Sequence, residues 1–139
     1  MAVSFRILTE RGLVYVLYEG FARLEDSFHA FSAYAQHPDC RPGQRQFVDL
    51  SGVTAVERDF VGVIALQAMK AEVFVAQGVQ TLVAYYAPSE PARTLAALAI
   101  RSWDGTSGVV PRIFETEEAA LAFLGQTETR VVDLLAAAG

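Results

Sequence analysis

Strand-like runs alternate with helical stripes along most of this chain, and that alternation limits the folds it can adopt. The runs that read as strands are Ser4–Leu8, Leu13–Glu19, Gln46–Leu50, Gln80–Ala87 and Val109–Phe114. Helical patterns separate the last four of these, and parallel strands are usually joined by a crossover helix. The sequence therefore predicts an α/β protein with a single mixed, mostly parallel sheet of four or five strands.

The helical patterns complete the order β-β-α-β-α-β-α-β-α. The first helix carries an apolar stripe at Leu24, Phe28, Phe31 and Ala35, which is the spacing of one helix face. Further helices are predicted at about Arg58–Gln77, after a capping Ser89, at Glu117–Leu124 and in the tail RVVDLLAAAG. At 139 residues the chain fits one domain. We place this domain at residues 1–125 and a C-terminal helical tail at 126–139.

Composition and charge argue against several classes of partner. Hydrophobic residues make up 53% of the sequence and charged residues 19%, as in a packed globule. The net charge is −5 and the arginines are scattered, so no nucleic-acid partner is expected. The apolar runs are too short for an integral membrane segment. The start of the sequence also lacks a signal-peptide pattern, which predicts a cytoplasmic protein of bacterial type.

No residue pattern in the sequence is typical of catalysis or of a cofactor site. His37, Asp39 and Cys40 form the only cluster of possible metal ligands, and no second ligand group accompanies them. There is no Gly-x-Ser-x-Gly elbow, and the GTSG stretch follows a helix, which is the wrong end for binding a phosphate. We therefore expect a non-enzymatic protein with no metal and no cofactor.

The segment FVDLSGVTAVERDFVGVIAL places polar residues between an apolar strand and a long helix, where open α/β proteins often bind ligands. Two interpretations stay open. In the structural one, Asp49 bonds to its own turn, and Glu57 and Asp59 favour the positive end of a helix dipole. In the functional interpretation, polar residues of this segment and at the end of the next strand contact a partner or ligand. The candidate contacts are Asp49, Ser51, Glu57, Arg58, Asp59, Tyr86 and Ser89.

Three stretches resemble the STAS family of bacterial anti-sigma-factor antagonists, and most closely the antagonist-like proteins grouped with CRAL-TRIO lipid-binding domains. They are FVDLSGVTAVERDFVGVIAL, QGVQTLVAYYAPSEPARTLAAL and VPRIFETEEAALAFL. The resemblance covers about residues 3–124 and implies a compact domain that binds other proteins. In the antagonists, a turn before the second helix carries a phosphorylatable serine. The corresponding stretch here, Glu57-Arg58-Asp59-Phe60, has no hydroxyl group, which implies a member without the usual phosphoswitch.

Two hypotheses of function follow. The first is a non-enzymatic STAS-like interaction or regulatory module with a protein partner. The second is a carrier or sensor for a small apolar or lipid ligand, which the lipid-binding side of the resemblance implies. Tyr85, Tyr86 and Trp103 near one edge support the second hypothesis, although core packing also accounts for them.

The helix at about Arg58–Gln77 is apolar almost all round, whereas a helix that covers one side of a sheet needs a single apolar stripe. Its period places Ile64 and Met69 toward the core. The opposite face, which also includes Gln67, carries our candidates for self-association, Val63, Lys70 and Phe74. Closed twofold pairing is the commonest way to bury such a face, so we expect a homodimer. In the alternative, the tail Val131–Ala138 folds over Val63 and Phe74 within one chain.

Overall fold

A computed structural model of the chain describes residues 3–57, 59–74, 80–103 and 108–138, with all of their side chains except those of residues 60, 61 and 71–74. The described strands form one sheet in the order β1-β2-β3-β4-β5. They are β1 (Val3–Leu8), β2 (Leu13–Ala22), β3 (Arg45–Val56), β4 (Thr81–Tyr86) and β5 (Val109–Phe114). β1 is antiparallel to β2, and the other neighbours are parallel. The predicted mixed, mostly parallel sheet is confirmed.

Helices cover both faces of the sheet. They are α1 (Leu24–Ala35), α2 (Phe60–Phe74), α3 (Glu90–Ser102), α4 (Glu117–Phe123) and α5 (Val131–Ala137). Each parallel strand adds beside the one before it. Right-handed crossovers that all advance in one direction place their helices on one face, so α1, α2 and α3 lie together. α4 contacts β4 and β5, and it packs with α5 on the opposite face.

The alternation of side chains along the strands divides the core into two clusters. In β3, Phe47 faces α4 and α5, whereas Val48 faces the layer of α1, α2 and α3, because successive strand side chains point to opposite faces. α5 adds Val131 and Leu134 to the Phe47 cluster. The alternative in which the tail covers Val63 is therefore wrong, since Val63 lies on the other face of the sheet.

Strands β2 and β3 are longer than the sequence predicts. They continue to Ala22 and Val56, and they pair along these extensions from Glu19↔Gly52 to Ala22↔Val56 after an irregularity in register. The polar turn expected after Leu50 is therefore wrong. Each extension supplies the other with backbone hydrogen bonds. Polar and small residues are tolerated there because the extension of β3 lies beyond its pairing with β4 and is largely exposed.

The orientation of α2 is the reverse of the predicted one. Val63 and Gln67 are 7% and 3% exposed, whereas Ile64 and Met69 are 44% and 40% exposed. The prediction that Val63, Gln67 and Lys70 form the outward face is therefore wrong by about half a turn of helix. Because α2 is apolar on nearly every side, its own period does not select a face, and its contacts with α1 and α3 do so. Outside the described part lie Arg58, Gln77 and the side chain of Phe74.

Candidate ligand-binding cavity

A partly enclosed cavity of about 90 Å³ lies between the sheet and the layer formed by α1, α2 and α3. Its floor consists of inward-facing aliphatic residues from alternate strand positions, among them Val14, Val48 and Val83. The helices supply the opposite wall, including Phe31 from α1 and Ala99 from α3. The strand alternation that fixes the fold thus also makes the cavity predominantly apolar.

The aromatic polar groups that line the cavity are hydrogen-bonded to one another, to α1 or, for Tyr34, to Gln44. Trp103 Nε1 donates to Tyr85 Oη over 2.9 Å, and Tyr18 Oη lies 2.9 Å from Ser27 Oγ. Burial raises the pKa of Tyr85 to about 12 and raises the pKa of Tyr18 as well. These phenols therefore stay neutral near neutral pH and bring no charge to the cavity.

The three aromatic residues that we predicted as possible ligand contacts, Tyr85, Tyr86 and Trp103, do not all lie on the same face of the sheet. Tyr85 and Trp103 both line the cavity. Tyr86, the next residue of β4, faces the opposite side, where its ring centroid lies 6.1 Å from that of Phe47. Two of the three residues proposed to contact an apolar ligand are thus in a position to do so.

Gln67 of α2 is a buried polar residue whose side chain is only partly hydrogen-bonded. Its Nε2 donates to the carbonyl oxygen of Ala99 over a long distance of 3.4 Å. Its Oε1 accepts no hydrogen bond from any residue that the structure describes. A buried acceptor left in this state costs about 1–3 kcal/mol. The unpaired oxygen belongs to a residue that lines the cavity, so a bound molecule with a hydrogen-bond donor is well placed to satisfy it.

Lys70 is the only charged side chain among the described residues that line the cavity. It lies three residues after Gln67, which makes the two side chains neighbours on one helix face. Burial lowers the pKa of its ammonium group from the ordinary 10.5 to about 8. Lys70 as a whole is half-buried, and a charge that is withdrawn from water is usually paired, yet the described lining residues include no aspartate or glutamate. The cavity therefore combines one poorly compensated cation with one unpaired acceptor.

Asp49, the central residue of the predicted site, lies on the other face of the sheet in a closed hydrogen-bond network. It is 6% exposed. Its Oδ2 accepts from Tyr15 Oη over 2.5 Å, and its Oδ1 accepts from the backbone N and the Oγ of Ser51 over 2.9 and 2.6 Å. Burial and then this hydrogen bond raise the pKa of Tyr15. Both carboxylate oxygens thus have partners, as the structural interpretation of Asp49 and Ser51 requires.

The other predicted contact residues lie near the boundaries of elements. Asp59 Oδ1 accepts from the backbone N of Gly62 over 3.0 Å at the start of α2. Ser89 caps α3, as predicted, by accepting from the backbone N of Ala92 over 3.3 Å. The side chain of Glu57 is exposed. None of these three lines the cavity, and the remaining candidate, Arg58, lies outside the described residues.

The predicted cluster around His37 is held by local contacts. His37 Nδ1 accepts a hydrogen bond from the backbone N of Asp39 over 3.0 Å. Over the described ranges there is no group of three or more histidine, cysteine, aspartate or glutamate side chains that could hold a metal ion. Within the same ranges, the helices are too short or too polar to cross a membrane.

No protein-family model matches this sequence, and no curated protein matches it significantly.

Sequence reasoning missed Gln67 and Lys70 as site residues, although a signal was present. Both are polar, both lie within a helix that is otherwise nearly all apolar, and their spacing puts them on one face with Val63. In the sequence alone, that polarity predicts the face toward water. The same polarity also marks an inward face that lines a cavity.

Proposed function

We propose that this chain is a non-enzymatic, STAS-like module that carries or senses a small, mostly apolar ligand in the cavity between the sheet and α1, α2 and α3. The observation that carries the proposal is the cavity itself, with Gln67, whose Oε1 is unpaired among the described residues, in its lining. The order of strands and helices supports the STAS-like part of the proposal. The lack of a hydroxyl group over Glu57–Phe60 supports regulation by a ligand instead of by phosphorylation.

The energetics of the cavity favour a functional role. A void of about 90 Å³ lowers the free energy of unfolding by about 2 kcal/mol at the usual cost per volume. The unpaired oxygen of Gln67 adds a further cost. Proteins retain such costs mainly at functional sites. A bound ligand would remove the first cost, because it restores packing contacts.

The size of the cavity limits the ligand. A cavity of about 150 Å³ in another protein holds benzene, so in proportion a space of about 90 Å³ accommodates three or four non-hydrogen atoms. A longer ligand has to extend through the open side or displace side chains. A small amphiphile, with its apolar part inside, fits this space better than a large polar metabolite.

Titration of the protein with 1-butanol, followed by NMR, tests the proposal. We expect shifts at cavity residues such as Val48 and Val83. We expect these shifts to disappear in Ala99→Leu, which fills the cavity from α3. Ala97→Leu is the matched control, since Ala97 lies on the same helix but is exposed. Shifts confined to the surface, or equal binding by Ala99→Leu, would overturn the proposal. Native mass spectrometry of freshly purified protein would in addition identify a ligand that co-purifies.

A second candidate function, self-association or docking of a protein partner, is favoured by the outward face of α2. This face consists of Ile64, Ala65, Ala68 and Met69, all of which are exposed. Exposed apolar faces of this kind often mark interfaces, and closed twofold pairing with a second copy would bury this one. The proposed interface thus lies on the side of α2 opposite to the predicted one.

Light scattering of an Ile64→Glu variant tests self-association. Ile64 is 44% exposed, so the substitution should leave the fold intact and convert a dimer into a monomer. Val132→Glu, at an apolar residue of α5 that is 58% exposed, is the control and should leave the mass unchanged. A wild-type protein that is monomeric at high concentration would rule out the homodimer.

A further inference from the structure

We propose that the ligand of the cavity is a small apolar carboxylic acid whose carboxylate pairs with Lys70 while its hydrocarbon part lies against the aliphatic floor of the sheet. This inference rests on the proposed ligand-binding function and names the chemical class of its ligand.

The charge balance of the cavity points to an anion. Lys70 lines a space whose described lining contains no carboxylate, and ion pairs with it are absent from the described residues. Lys70 is half-buried, and an ammonium group that is partly removed from water is stabilised by an opposite charge beside it. A ligand carboxylate would supply that charge. The lowered pKa of Lys70 agrees with the lack of such a partner in the protein.

The unpaired oxygen of Gln67 fits the same arrangement. A lysine ammonium group has three N–H donors, and Lys70 is a neighbour of Gln67 on one face of α2. The ammonium group can therefore donate to Gln67 Oε1 and to a carboxylate at the same time. A neutral amine could not form the ion pair, so binding of the acid would keep Lys70 protonated.

The remaining polar groups of the cavity favour a carboxylate over a phosphate. A phosphate ester carries up to two negative charges and is usually held by several charged or backbone donors. Here Lys70 is the single cation among the described lining residues. Burial raises the pKa of Tyr18, Tyr34 and Tyr85, so these groups stay neutral. One cation in an apolar space matches one monovalent anion with a hydrocarbon part.

The sequence makes a direct test possible, because Lys70 is its only lysine. Protein labelled with ¹³Cε-lysine gives a single lysine signal, and its pH titration reports the pKa of Lys70. We expect a value near 8 in the free protein and an increase on adding butanoate. The matched uncharged probe, 1-butanol, should occupy the same space without raising the pKa of Lys70.

Lys70→Met separates the ion pair from the apolar contacts. We expect this variant to bind butanoate about tenfold to a hundredfold more weakly, the usual effect of losing a hydrogen bond to a charged group. Its affinity for 1-butanol should stay within about twofold, since the aliphatic walls are unchanged. If neither probe binds the wild-type protein, the ligand-binding function itself is refuted. If 1-butanol binds but butanoate leaves the pKa of Lys70 unchanged, or binds Lys70→Met equally well, only the carboxylate assignment is refuted.

Discussion

Replacement of Lys70 by methionine should stabilise the ligand-free protein, although Lys70 is the residue proposed to bind the ligand. Methionine has a similar length and carries no charge. Burial lowers the pKa of Lys70 from 10.5 to about 8, and each pKa unit corresponds to about 1.4 kcal/mol. The protonated side chain therefore lowers the free energy of unfolding by at most about 3 kcal/mol. Removal of the charge should restore that amount.

The effect has a defined dependence on pH. Below about pH 8, Lys70 is protonated in the folded and the unfolded states, so the full penalty applies. Between about pH 8 and pH 10.5, the unfolded chain binds more protons than the folded protein, and the stability of the wild type rises with pH. The advantage of Lys70→Met should therefore fall from about 3 kcal/mol at pH 7 to less than about 1 kcal/mol at pH 10.

Urea unfolding of both proteins at the two pH values, followed by circular dichroism, measures this difference. The other ionisable groups are the same in the two proteins, so their contributions cancel. If Lys70→Met raises the free energy of unfolding by the same amount at both pH values, the increase reflects only the packing of methionine. Such a result, constant within about 0.5 kcal/mol, would refute the argument, because it would mean that the ammonium group of Lys70 is hydrated in the folded protein.

Two further predictions concern contacts on the opposite face of the sheet. The hydrogen bond from Arg11 holds the pKa of Glu128 down at about 2, so this pair stabilises the fold above about pH 4.5 and the contribution disappears as the pH falls toward 2. Glu128→Gln should therefore flatten the acid limb of the plot of melting temperature against pH, and an unchanged acid limb would contradict the ion pair. Tyr15→Phe should lower the free energy of unfolding by about 1.5–3 kcal/mol, because it removes a hydrogen bond to the buried Asp49 carboxylate. Tyr86→Phe, on β4, is the control and should cost less in the same urea titration.

The sheet was predictable from the sequence because its signals are local and agree with one another. Short apolar runs alternate with helical stripes, and Ser89 caps α3 as expected. The paired extensions of β2 and β3 were not predictable in this way. Ser51–Ala55 has the composition of a turn, and only pairing with a distant segment, Glu19–Ala22, makes it a strand. Such non-local hydrogen bonds leave no periodic pattern in either segment.

The cavity was not predictable for a related reason. Its lining comes from four strands and three helices, so no single stretch carries its signature. Its two most informative residues were assigned to the wrong face of α2, because hydrophobic periodicity selects a face only when one side of a helix is polar. Tyr85 and Trp103 were identified as aromatic candidates, but their mutual hydrogen bond depends on the packing of α3 over β4.

α2 departs from the usual distribution of polarity in a helix that packs on a sheet. Its inward face carries Gln67 and Lys70 beside the buried Val63 and Leu66, whereas its outward face carries Ile64 and Met69, which are 44% and 40% exposed. Either half of this departure opposes folding of an isolated chain, since burial of polar groups and exposure of apolar groups both raise the free energy of the folded state. A simple scaffold helix would have the opposite arrangement. In the proposed function, a ligand acid on the inward face and a protein surface on the outward face would each remove one of these costs.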